Sequence, residues 1–134
     1  MIYLLDSGAY TFLVRNRPAI VNLITDDTLL YMCTPVIGEL YYGINKSDSV
    51  ARNLLALEHF LKEPVVKDVD MDMNIAKTFG AIKATQSRVG LTLGINDLWI
   101  AATAIELDAT LITYDTDFEK IKDPRFAYVL LADD

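Results

Sequence analysis

Short apolar runs that stop at an acid or a turn residue recur along the chain, and they set its architecture. Ile2–Leu5 ends at Asp6, Leu29–Cys33 ends at Thr34-Pro35, and Leu111–Tyr114 ends at Asp115. Continuous runs of this length read as strands buried on both faces. Val65–Val66 begins a further extended piece, and Phe126–Leu131 forms the last strand. Between them the apolar spacing turns helical. Tyr10–Val14 and Ala19–Ile24 predict two short helices, the second with Pro18 in its first turn. Val36–Ile44 predicts a third helix, with Thr34 as cap and Pro35 at the first position. Val50, Leu54, Leu57 and Leu61 fall on one face of a helix from Ser49 to Leu61 that Pro64 stops. Met71, Ile75, Phe79 and Ile82 recur at helical intervals up to Gly90. After a loop at Gly90–Gly94, a helix apolar nearly all round covers Asn96–Leu107, with Asn96 as its cap. Strands alternating with helices predict an α/β fold with a parallel sheet covered on both faces.

Composition bounds this reading. The chain has 134 residues, 52% of them hydrophobic and 23% charged, which suits one globular domain spanning 1–134. No apolar run approaches the roughly 20 residues of a membrane span, and no signal peptide is expected. One cysteine, Cys33, and one histidine, His59, cannot form a disulfide or a Cys/His zinc site. A cytoplasmic setting is therefore expected. Twelve basic residues stand against 19 acidic ones, a net charge of −7. That sign excludes nucleic-acid binding by blanket electrostatics, so contact with phosphates would need metal ions or a few well-placed cations.

Where the acids fall matters more than how many there are. In an open parallel sheet, reactive groups gather beyond the carboxyl ends of the strands. Asp6 and Asp115 stand at two such ends, although an Asp there can also just begin a turn. Glu39 lies in a helix whose surface is mostly apolar. Its neighbours three and four residues away are Pro35, Val36, Tyr42 and Gly43, none of them basic. Asp97 lies in the first turn of the apolar helix, where the helix dipole alone could account for an acid. Four carboxylates packed together would repel one another unless a cation joined them. Oxygen-only ligation selects Mg²⁺ or Mn²⁺ over Zn²⁺, and the matching chemistry is metal-assisted phosphodiester hydrolysis.

The order and surroundings of these acids resemble the PIN-domain family, and within it the VapC-type toxins of toxin–antitoxin pairs. The resemblance rests on M-I-Y-L-L-D-S, P-V-I-G-E-L-Y-Y-G-I-N-K-S, N-D-L-W-I-A-A-T-A and L-I-T-Y-D-T-D-F, and it covers essentially the whole chain. It implies a three-layer α/β/α PIN-like domain and a metal-dependent endoribonuclease. The family's acids fall on Asp6, Glu39, Asp97 and Asp115, as catalytic residues and ligands of Mg²⁺ or Mn²⁺. Its supporting hydroxyls fall on Ser7 and Thr113. The resemblance further implies a homodimer, a VapB-type antitoxin as partner, and tRNA or other structured RNA as substrate.

Two departures stand out. Gly8 and Tyr114 occupy places that often carry Asn in relatives. Gly8 motivates an alternative expectation, a catalytically weak module that binds an antitoxin or RNA. Asp117 ranks behind Asp115 as a ligand because it lies two residues further from the strand. Lys46, Arg52, Lys83 and Arg88 are the expected phosphate contacts. His59 reads as an exposed helix residue, Cys33 as core, and Trp99 as core or dimer packing. Part of the apolar surface on 29–33, 36–44 and 98–105 is expected to serve a dimer or an antitoxin. A phosphoacceptor domain of the receiver type would need an acidic pair after the first strand, and Asp6 is followed instead by Ser7 and Gly8.

Overall fold

A computed structural model describes residues 1–132. Its five strands are β1 (Ile2–Leu5), β2 (Leu29–Cys33), β3 (Val66–Val69), β4 (Thr110–Thr113) and β5 (Ala127–Leu130). They form one sheet in the order β3-β2-β1-β4-β5, with every neighbouring pair parallel. Six α-helices surround it: α1 (Ser7–Val14), α2 (Pro18–Val21), α3 (Thr34–Asn45), α4 (Val50–Leu61), α5 (Met73–Arg88) and α6 (Ile95–Glu106). A 3-10 turn over Thr116–Lys120 connects β4 to β5. This is the α/β/α arrangement that the sequence predicts. Among the described residues, no helix is long and apolar enough to cross a membrane.

The core runs through the middle strands. Leu4, Leu5, Met32, Leu111 and Ile112 are fully enclosed, and Ala101, Ala102 and Thr103 of α6 pack among the buried residues. The apolar positions of β2 and α6 thus serve the chain's own interior. Of the three segments from which part of the apolar surface is expected to serve a partner, β2 and α6 bury most of theirs in this interior. Among the exposed large apolar side chains are Tyr42 of α3 and Leu55 of α4. Trp99 stacks on Phe79 of α5 with ring centroids 4.0 Å apart, a packing contact between α5 and α6. Cys33 is buried, and desolvation pushes its thiol up to about 11, so it behaves as a small apolar residue.

Two predicted caps move. Cys33, not Thr34, is the N-cap of α3, because β2 stays paired with β3 through Cys33 and the chain turns at once into helix. Gly94, not Asn96, is the N-cap of α6, which places Asn96 inside the first turn. Helix α1 begins three residues earlier than its apolar spacing suggests. Asp6 caps it, with Oδ1 accepting the Ala9 N–H at 2.8 Å.

Candidate active site

Strand order reverses at β1, which has the earlier strands on one side and the later ones on the other. The loops leaving β1 and β4 diverge there, and a crevice opens beyond their carboxyl ends. Asp6 follows β1 directly, and Asp115 lies two residues beyond β4. A hollow of about 490 Å³ occupies this crevice, and its lining includes Asp6, Ser7, Glu39, Asp97 and Asp115. Four acids from four separate stretches of sequence therefore share one space.

Asp6 is the deepest of them. While Oδ1 caps α1, Oδ2 accepts a 2.5 Å hydrogen bond from the Thr113 hydroxyl. The Thr113 oxygen in turn accepts the Asp115 N–H at 3.0 Å. One buried hydroxyl thus ties the end of β1 to the end of β4 and fixes two acids relative to each other. Burial raises the Asp6 pKa above the ordinary value; the bonds from Thr113 and Ala9 oppose that rise, and nearby Asp115 adds to it.

Glu39 differs from expectation in one respect. Its helix is apolar, yet the residue is exposed and stands at the rim of the hollow. Partial desolvation still raises its pKa, while a hydrogen bond from the Asn96 side chain holds it down. Asn96, displaced from the expected cap role, is a site residue that periodicity could not reveal. Asp97 is pushed up to about 6, first by desolvation and then by Asp115, Glu39, Asp117 and Asp6. No basic group is among the causes of any of these three shifts.

Asp117 is closer to the centre than its sequence position suggests. Asp115 caps the 3-10 turn, its Oδ1 accepting the Asp117 N–H at 2.9 Å, and this curls the chain back. Carboxylate oxygens of Asp97, Asp115 and Asp117 then lie within 4.8 Å of one another. That spacing fits the coordination shell of one hard dication, whose bonds to oxygen are about 2.0–2.6 Å long. The donors are all oxygen, as such an ion requires.

The remaining predicted residues sit around this centre. Ser7 lines the hollow and also an adjoining groove of about 620 Å³ between α1, α3 and α4. A Cβ added at Gly8 would stand 3.7 Å from Asp6 Oδ1, an ordinary contact, so a side chain fits there. Tyr114 packs against Phe12, with ring centroids 4.2 Å apart. None of Lys46, Arg52, Lys83 and Arg88 lines the hollow. Lys46 lies over the Tyr42 ring, Arg52 reaches Ser49, Arg88 reaches Thr85, and Lys83 is exposed on α5. The basic residue lining the adjoining groove is Arg15, at the end of α1, which motif spacing did not single out. His59 is exposed and faces Glu63, just past the end of its helix, at 3.6 Å.

An α/β/α sheet with an acid-lined crevice at the reversal of strand order defines the class. Residues 3–124 match the PIN domain, and the chain belongs to that family. Its similarity is to the VapC group. It is 31% identical to ribonuclease VapC2 of Haemophilus influenzae over 122 residues, covering 89% of this chain and 91% of that one. Over a stretch of the same length and coverage it is 30% identical to the tRNA(fMet)-specific endonuclease VapC of Shigella flexneri. Its fold superposes with a TM-score of 0.86 on a chain of VapBC2 from Rickettsia felis bound to a DNA fragment from their promoter. There the identity is 26%, over 98% of this chain and 99% of that chain.

Proposed function

We propose that this protein is a metal-dependent endoribonuclease, the toxin of a type II toxin–antitoxin pair, acting in the cytoplasm on structured RNA of the tRNA class. The observation that carries the reading is the convergence of Asp6, Glu39, Asp97 and Asp115 on one hollow with no basic side chain in its lining. Its relatives' names supply the substrate class. A VapB-type antitoxin as partner follows from likeness to VapBC assemblies, and a homodimer is part of the same reading.

Asp97, Asp115 and Asp117 would hold a Mg²⁺ or Mn²⁺ ion, with Asp6 and Glu39 completing the acidic wall. When bound, the ion supplies charge neutralisation and a Lewis acid for the phosphodiester. The protein's part is placement. Thr113 holds Asp6 and the Asp115 backbone in register, and Asn96 steadies Glu39 at the rim. The raised pKa values of Asp6, Glu39 and Asp97 have a common origin in desolvation, reinforced by neighbouring acids, so the hollow is built to attract a cation.

The test is cleavage of tRNA by purified protein with Mn²⁺ and with EDTA. Cleavage should require the metal and vanish in an Asp6→Asn plus Asp97→Asn double variant. Undiminished cleavage in chelator would exclude the metal mechanism. A protein that binds antitoxin and RNA but cleaves neither tRNA nor total RNA would exclude the nuclease.

A further inference from the structure

Gln86 is a polar side chain on α5 that is only 2% exposed, and the site described above makes no direct use of it. Its carboxamide nonetheless reaches far along the sequence. The Nε2 group donates to the Lys120 carbonyl at 2.8 Å, and Oε1 accepts the Lys122 N–H at 2.8 Å. A longer 3.5 Å contact runs from Nε2 to the Leu91 carbonyl. Both donors and one of the two acceptor directions of the amide are therefore directed at backbone.

The backbone of the same residue holds a second segment. Two residues past the end of α5, Gly90 lies in the left-handed region at φ +72°, and the Leu91 N–H closes back onto the Gln86 carbonyl at 2.9 Å. This is a Schellman closure, for which glycine is the favoured residue. Gln86 thus grips two segments at once. One is the loop that enters α6, six residues before Asp97. The other is the chain leaving the 3-10 turn that begins beside Asp115 and carries Asp117. Lys120, whose carbonyl Gln86 holds, also reaches back through its ammonium to Asp117 at 3.0 Å.

Neither segment has a strand ladder to hold it, since β4 ends before the turn and β5 begins after it. Phe118 and Ile121 are buried and anchor the turn by packing, which fixes its depth better than its rotation. Directional hydrogen bonds from a single rigid amide supply that missing constraint.

We propose that Gln86 is a positioning residue whose carboxamide ties the turn after Asp115 to the end of α5, where its own backbone closes the loop before Asp97, and so sets the spacing of the Asp97–Asp115–Asp117 trio. The inference rests on the reading of that trio as a dication site. It makes no claim that Gln86 touches substrate or metal.

The test compares the wild type with Gln86→Met, Lys122→Pro, Lys122→Ala and Thr78→Val. Gln86→Met removes the amide at similar length. Lys122→Pro deletes the N–H that Oε1 accepts while leaving Gln86 in place, and Ile121 before it already has the extended ψ of 120° that proline favours. Lys122→Ala controls for the lost side chain. Thr78→Val breaks the part-buried bond from α5 to Glu106, which lies outside the site.

Two quantities are read: Mn²⁺ affinity by electron paramagnetic resonance, and amide exchange at Asp117, Phe118 and Ile121 in metal-free protein. Gln86→Met is expected to weaken Mn²⁺ binding about tenfold, as loss of an outer support typically does. It should also speed exchange at those amides while β1 amides keep wild-type rates. Lys122→Pro should act in the same direction and Lys122→Ala should not. Thr78→Val should lower the melting temperature and leave both quantities alone. Unchanged exchange at the turn in both Gln86→Met and Lys122→Pro would overturn the clamp, as would a rise at the β1 amides equal to that at the turn. Wild-type protein that takes up no Mn²⁺ would remove the dication reading of the trio, and the exchange measurements would then judge the clamp alone.

Discussion

Two aspartates less than thirty residues apart live in opposite surroundings. Asp123 lies in the loop before β5 and receives three bonds from Arg125: its backbone N–H at 2.9 Å, Nε at 3.1 Å and a terminal nitrogen at 2.9 Å. These hold its pKa below the ordinary value. Asp97 faces Asp115, Glu39, Asp117 and Asp6 across the hollow, and its pKa is pushed up to about 6. Asp123 is complete as folded: its charge is matched and its geometry closed. Asp97 is left wanting a positive charge that its acidic surroundings do not supply. The difference separates a carboxylate that staples a turn from one arranged to recruit a ligand.

The widest gap between them should appear in activity. Asp97→Asn is expected to cut RNA cleavage by more than about a hundredfold, beyond the usual cost of losing an outer support. Asp123→Asn should leave the cleavage rate near wild type in the same assay. Equal losses in the two variants would mean the hollow is not the reacting site.

Metal should separate them next. Ligand at a hundred times its Kd stabilises the folded state by about 2.7 kcal/mol. Mn²⁺ should therefore raise the melting temperature of wild type and Asp123→Asn, and not that of Asp97→Asn. In EDTA at pH 8 the order reverses: Asp97→Asn should melt above wild type because it relieves repulsion, and Asp123→Asn below it.

Thr113→Val probes what holds the acidic wall together. It leaves a buried carboxylate oxygen and the Asp115 N–H without their shared hydroxyl, and the loss should be about 1–3 kcal/mol by urea denaturation.

The pH dependence of metal-free stability should carry both signs. Folded Asp97 keeps its proton to about pH 6, whereas the unfolded group releases it near 3.8. Its contribution is complete below the unfolded value and is lost as pH rises through about 6. Asp123, with a lowered folded value, contributes above the unfolded value and loses that contribution as pH falls through the folded one. Arg125→Ala should erase the Asp123 part alone, as the smallest change in the series, because the arginine lies at the surface.

Much of this was legible in the chain. Asp6 and Asp115 could be placed because each ends a continuous apolar run, and a parallel sheet makes strand ends meaningful. Asp97 and Glu39 could be placed as acids within apolar helices. The exposure of Glu39 was not legible, because an apolar helix surface does not say which side faces the crevice. Asp117 looks remote in the sequence because it stands four residues beyond the end of β4. The Asp115 cap curls that distance away. Asn96 and Gln86 act through bonds to partners 34 or more residues off, or on another helix, and local pattern carries no trace of such bonds.

The place of β1 in the middle of the sheet has a consequence for how the protein comes into being. The Thr113–Asp6 bond spans 107 residues, and Tyr3 pairs with Thr110. During synthesis Asp6 is therefore made long before the Thr113 hydroxyl that it accepts from, and before the strand that β1 pairs with on that side. A stretch that stops short of β4 holds Asp6 and Glu39 without Thr113 or Asp115, so the acidic wall is assembled only when β4 pairs with β1.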